Sequence, residues 1–182
     1  AASDVYKRQN ISDEMMRLVL KISAMALFNT DFGENTEKIL KCVEFGQKFI
    51  LGYYLAPPSI PSIPRWRYRR LDKYFKTILT QMIDTRRALT TKPDDILTAL
   101  VTHIDPSTQK HLPLDLILAQ IVTLLVTGHE TTGALLGWLW YELGLQPAIS
   151  QKIANEVHEQ LQGEPPSLQN LSKLKYTRMV VD

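Results

Sequence analysis

Apolar residues recur at helical spacing along almost the whole chain, and no useful stretch alternates with the two-residue period of a strand. The first such run extends from Ser12 to Phe28. Met15, Leu18, Val19, Ile22, Met25, Ala26 and Phe28 supply an inward face, Ser12 stands at the N-cap position, and Asp13 and Glu14 occupy the first turn. Asp31-Phe32-Gly33 is expected to close it. A second helix is predicted from about Thr36 to Tyr54, with Ile39, Leu40, Val43, Phe49 and Ile50 on its apolar side and Cys42 as a buried, inert thiol. Pro57, Pro58, Pro61 and Pro64 then remove amide donors and forbid a helix, so an extended loop docked on the core is expected, with a mobile lid or membrane-touching edge as the alternative. Leu71, Phe75, Ile78, Leu79, Met82 and Ile83 form the stripe of a third helix, and Ile96–His103 reads as a short fourth. A long helix follows from Leu114 to about residue 146, ended by Gln146-Pro147. The next has Ile149, Ile153, Ala154, Val157 and Leu161 inward and Gln151, Lys152, Asn155, Glu156 and Glu159 outward, until Gly163-Glu164-Pro165-Pro166 stops it. The fold class is all-α.

Composition narrows the functional classes. The 182 residues are 45% hydrophobic and 22% charged, as in a globular chain, and a net charge of +2 gives no general attraction for nucleic acid. Arg65-Trp66-Arg67-Tyr68-Arg69-Arg70 interleaves basic and aromatic residues, but the apolar stripe that follows makes it the solvated start of an amphipathic helix. No nucleic-acid partner is expected; contact with lipid headgroups stays open. A single cysteine excludes an intrachain disulfide and any multi-cysteine metal site, and His103 and His111 read as exposed polar residues, so no protein-held metal is expected. Without a signal peptide in view, a cytoplasmic location is expected. Both ends read as cut. Asp4-Val5-Tyr6-Lys7-Arg8-Gln9 resembles the translation of a transposase adapter, so residues 1–9 are set aside as a sequencing scar, and Val180-Val181-Asp182 stops inside an apolar run without a helix stop signal.

The long helix carries the candidate chemistry. Leu116–Val126 is apolar nearly all round, but Thr127-Gly128-His129-Glu130-Thr131-Thr132-Gly133 interrupts it too soon for a membrane span. The glycines each weaken the helix by about 1 kcal/mol relative to Ala, and the threonine hydroxyls can turn onto carbonyls one turn back and bend it. Polar groups in the middle of a buried helix imply that something sits against it. A zinc-protease reading of His129-Glu130 fails, because the second imidazole of that motif would stand at position 133, which is Gly133.

Gly128-His129-Glu130-Thr131-Thr132 resembles the oxygen-binding helix of cytochromes P450, with Thr127 where Ala or Gly is usual. Leu171-Ser172-Lys173-Leu174-Lys175-Tyr176 with Met179-Val180-Val181 resembles that family's approach to its ExxR helix, and Leu27-Phe28-Asn29-Thr30-Asp31-Phe32 the end of an earlier helix. The proline loop falls where the family has its substrate-access lid. The resemblance covers residues 10–182, as a central fragment of the P450 domain.

It implies a haem-thiolate monooxygenase that inserts one oxygen atom of O2 into a small hydrophobic organic substrate, with electrons from NAD(P)H through a reductase or ferredoxin. By position, Thr131 is the hydroxyl facing the bound oxygen, and Glu130 organises the proton relay. Gly128 allows close approach of the backbone, and Thr127 lines the pocket over the haem; Leu124 and Leu135 are substrate contacts or plain core. The cofactor is haem b, whose axial Cys lies outside this chain, so the fragment alone is expected to be inactive. The competing reading is a non-catalytic helical bundle in which the Thr/Gly segment serves helix packing only.

Overall fold

The structure, a computed structural model, describes residues 10–55 and 63–182, with side chains described at 10–46 and 69–182. Residues 1–9 and most of the proline loop lie outside that set. The described chain is helical, with one isolated antiparallel bridge between Ile104 and His111. It divides after Gly133 into two compact units.

The first unit contains α1 (Ile11–Phe28), a 3-10 turn (Gly33–Asn35), α2 (Thr36–Leu55), α3 (Ile63–Ala88), α4 (Ile96–Thr102) and α5 (Leu114–Leu145) as far as Gly133. The cap of α1 is Asn10 rather than Ser12: its side-chain oxygen accepts the Ser12 amide at 3.1 Å. The helix closes at Asn29, which takes the left-handed conformation with φ 44° and donates its amide to the carbonyls of Ala24 and Met25. Asp31-Phe32-Gly33 belongs to the turn beyond. The inward face of α1 also differs from the expected one. Val19, Leu20, Ala24 and Phe28 are buried, while Leu18, Ile22 and Met25 are exposed. This helix has apolar residues on most of its surface, so periodicity alone does not select the face that packs.

The core gathers Leu20, Phe28, Ile39, Leu79, Ile83, Leu97, Ile117, Ile121 and Leu125, all fully enclosed. Phe75, Leu79, Met82 and Ile83 are buried from the stripe expected on α3. One charged group lies among them. Arg86, buried on α3, donates to both carboxylate oxygens of Asp95, to the Thr98 hydroxyl at 2.8 Å and to the Phe28 carbonyl at 2.7 Å. It thereby joins the end of α1, the end of α3 and the start of α4. Asp95 also caps α4 through the Thr98 amide at 2.8 Å. Burial alone would raise the Asp95 carboxyl, but the hydrogen bonds from Arg86 and Thr98 outweigh it and hold the group below its ordinary range.

The second unit holds the end of α5, then α6 (Pro147–Leu161), α7 (Leu168–Leu171) and α8 (Lys175–Val181). Pro147 starts α6 as expected, and Gln162 and Gly163, at φ 50° and 88°, turn the chain out of it. Leu161 and Leu174 are its buried apolar side chains. Glu156, expected to face solvent, instead caps α8: its carboxylate accepts the amides of Tyr176 and Thr177 and the Thr177 hydroxyl, each at 2.7 Å. Burial opposes the charge, but these bonds hold the carboxyl below the usual range. One turn earlier on α6, Lys152 stands 5.7 Å from the centre of the Tyr176 ring.

Candidate functional site

From Leu114 to Gly133, α5 shows two ladders of residues four apart. Ile117, Ile121, Leu125 and His129 form one and are buried, with Gly133, also buried, as its last step. Thr123, Thr127 and Thr131 form the other and are exposed. A two-residue offset along a helix is a rotation of about 200°, so the ladders occupy opposite sides. Each threonine hydroxyl donates to the carbonyl one turn back: Thr123 to Ala119 at 2.9 Å, Thr127 to Thr123 at 2.8 Å and Thr131 to Thr127 at 3.0 Å. Their oxygens keep lone pairs to accept a further hydrogen bond from outside.

The segment expected to weaken and bend the helix stays helical, and α5 runs as α-helix through Thr127–Gly133 to Leu145. The carbonyls that the threonine hydroxyls reach can accept two bonds, so back-bonding adds to the helical ladder without replacing it.

The two glycines face packing partners. A Cβ at Gly128 would meet Ser23 at 3.7 Å and Leu27 at 3.9 Å on α1, an ordinary contact. At Gly133 it would stand 2.6 Å from the Met16 sulfur and 3.3 Å from the Met16 Cα, so α1 approaches α5 there as closely as only glycine permits. The packing role of this segment therefore exists, on a different side from the threonines.

His129 is buried opposite Thr127, its Nδ1 at 2.6 Å from the Leu125 carbonyl. Half-buried Glu130 has interaction partners and lines, with His129, a cleft of about 430 Å³ between α1 and α2 whose walls include Arg17, Glu37, Lys41 and Glu44. Thr131 is not among the residues lining that cleft, although it is the next residue. Leu124 is half-buried and packs on the core cluster, whereas Leu135, in the second unit, is 58% exposed.

A second cleft, of about 620 Å³, was not anticipated from sequence. It lies between α2, α3 and α5, lined by Cys42, Val43, Phe75, Leu118, Val122 and Val126, with Asp72, Lys76, Asp115 and Thr123 among its polar residues. Its volume is that of a small-molecule pocket. The signal in the sequence was the four-residue spacing of Leu118, Val122 and Val126, which reads equally well as core. Cys42 is buried as expected; its thiol points to the Leu71 carbonyl at 3.6 Å, and burial, with Asp72 nearby, pushes its pKa up. Such a thiol is disfavoured as a thiolate ligand. His103 and His111 are exposed, at the Ile104–His111 bridge.

By length and composition α5 is long and apolar enough to cross a membrane, contrary to the reading from its interrupted apolar run. Its ladder from Ile117 to His129 nevertheless serves as core of the first unit.

Sequence comparison places these features in one class of protein. The family model for cytochrome P450 matches residues 2–182, and the chain belongs to that family. Among characterised relatives, it is 32% identical over 177 residues to cyclooctat-9-en-7-ol 5-monooxygenase of Streptomyces melanosporofaciens, covering 94% of this chain and 39% of that protein. Cyclooctatin synthase from the same organism is 29% identical, over 94% of this chain and 39% of its own length. A bifunctional cytochrome P450/NADPH–P450 reductase of Fusarium oxysporum is 30% identical, over 93% of this chain and 17% of its own length. The chain thus spans well under half of each relative.

Proposed function

We propose that the protein containing this chain is a haem-thiolate monooxygenase acting on a small hydrophobic organic substrate. The observation that carries the reading is the exposed ladder Thr123–Thr127–Thr131 on a helix whose opposite side is sealed in the core, in a chain of this family. The described residues fit one side of a haem pocket, a rigid helix face bearing hydroxyls that can still accept hydrogen bonds. They do not supply the thiolate, because the Cys42 thiol points to the Leu71 carbonyl and burial pushes its pKa up. The cysteine that would hold the haem is therefore assigned to sequence outside this chain.

When bound, haem b would supply reductive activation of O2, with electrons from NAD(P)H through a reductase or ferredoxin, one oxygen atom passing to substrate and the other to water. The residues of this chain shape and feed that site. Thr131 presents its hydroxyl, fixed on the Thr127 carbonyl, as a positioned hydrogen-bonding group. Glu130, facing a cleft with charged walls, holds and passes protons at its carboxyl oxygens. Thr127 flanks the cofactor side and, with Leu124, is assigned to contact substrate, whereas Gly128 faces Ser23 and Leu27 of α1 and serves packing. The apolar cleft around Phe75, Leu118, Val122 and Val126 adds room for a hydrophobic body. The Fusarium relative, whose name includes an NADPH–P450 reductase, supports a reductase as donor.

The carbon monoxide difference spectrum of the reduced, full-length protein tests it. The expected result is the long-wavelength band of thiolate-ligated haem, absent when residues 1–182 alone are mixed with hemin. A full-length protein that takes up no haem contradicts the reading, and the thiolate band from the 1–182 chain overturns the assignment of the axial Cys.

A further inference from the structure

We infer that Met16 is a site of oxidative modification by peroxides, and that oxidation of its thioether loosens α1 from α5. The inference rests on packing within the first unit and stands independently of the proposed function. The Met16 sulfur occupies the notch left by the missing side chain of Gly133, since a Cβ there would lie 2.6 Å from it, and Gly133 itself is buried. An oxygen added to that sulfur brings both volume and a strong acceptor into a contact that has room for neither.

The same side chain is within reach of solutes. Met16 is half-buried and lines the cleft of about 430 Å³ whose walls carry Arg17, Glu37, Lys41 and Glu130. A wall of charged groups keeps such a cleft wet, and a small neutral peroxide enters with water. Met16 thus combines access with a structural consequence. Met82, at 9% exposure, lies in the core, whereas Met25 and Met179, at 45% and 74%, stand largely in solvent. In the reaction the O–O bond of hydrogen peroxide breaks and one oxygen bonds to sulfur. The thioether is oxidised by two electrons, the peroxide is reduced, and the second oxygen leaves as water with both protons. Methionine sulfoxide reductases reverse the change.

The test is graded treatment of the full-length protein with hydrogen peroxide, with sulfoxide at each methionine of this chain measured by peptide mass spectrometry and Tm by circular dichroism. Met16 should convert well before Met82, Tm should fall in step with the Met16 sulfoxide fraction, and sulfoxide reductase should restore it. A Met16→Leu chain should keep its Tm at the same dose while Met25 and Met179 oxidise, and a chain carrying Met25→Leu and Met179→Leu should still lose it. The inference is overturned if Met16 stays reduced at doses that convert Met25 and Met179. It is equally overturned if the oxidised native chain, with Met16 converted, keeps its Tm, or if Met16→Leu loses as much Tm as the native chain.

Discussion

On one side of α5, Ile117, Ile121 and Leu125 have no solvent exposure and His129 has 3%, and the ladder ends at Gly133 beneath Met16. On the other, Thr123, Thr127 and Thr131 keep the same four-residue spacing and are exposed, with hydroxyls bonded to carbonyls of their own helix. Burying a Leu or Ile side chain stabilises a fold by roughly 1.5–3 kcal/mol, while a back-bonded threonine adds little. The first side accounts for why the helix exists and where it sits. The second contributes little to that, and on the proposed function its hydroxyls serve a molecule placed against them. On the proposed function, the buried face holds the helix in place and the threonine face meets the bound molecules.

Substitutions can break or sharpen this contrast. The largest effect is expected at the clamp that ties α1, α3 and α4 together around the sealed side. Asp95→Ala leaves the Arg86 guanidinium buried without its carboxylate and should cost roughly 3–5 kcal/mol, read by urea unfolding of the chain. The same pair sets an acid limit. The Asp95 carboxyl is held below its unfolded value, so its stabilisation is complete above that value and is lost as pH falls through the lower, folded one. Asp95→Asn should flatten the acid limb of a stability–pH curve, and an unchanged limb would show that other carboxyls set it. Next, Leu125→Ala removes a fully enclosed side chain and should cost roughly 2–5 kcal/mol. Gly133→Ala pushes a methyl group toward the Met16 sulfur and Cα and should cost roughly 1–3 kcal/mol. Smallest of all, Thr127→Ala and Thr131→Ala should each change stability by no more than about 0.5 kcal/mol. A loss near that of Leu125→Ala at either threonine would erase the distinction between the faces.

The helices of the fold were legible because their apolar stripes, prolines and turn residues are local signals. Thus α5 and α6 begin at Leu114 and Pro147 as read, and Phe75, Leu79, Met82 and Ile83 of the α3 stripe are buried as read. What escaped depends on distant partners. The inward face of α1 could not be chosen, because Leu18 and Leu20 are equally apolar and only the arrangement of α2 to α5 decides between them. Arg86 and Glu156 look like ordinary surface charges until Asp95, Phe28, Tyr176 and Thr177 come within hydrogen-bonding distance. In the candidate site, the Gly-His-Glu-Thr-Thr pattern located the segment. It did not reveal that Glu130 and Thr131, though adjacent, line different surfaces, nor that Gly133 answers to Met16.

The central claim, that the threonine face serves the reaction and not the fold, is tested most directly by the coupling ratio of the full-length protein carrying Thr131→Ala, as product formed per NAD(P)H consumed. The account predicts a large fall in that ratio with a matching rise in hydrogen peroxide, at an unaltered unfolding midpoint. A ratio equal to that of the unsubstituted enzyme would contradict it.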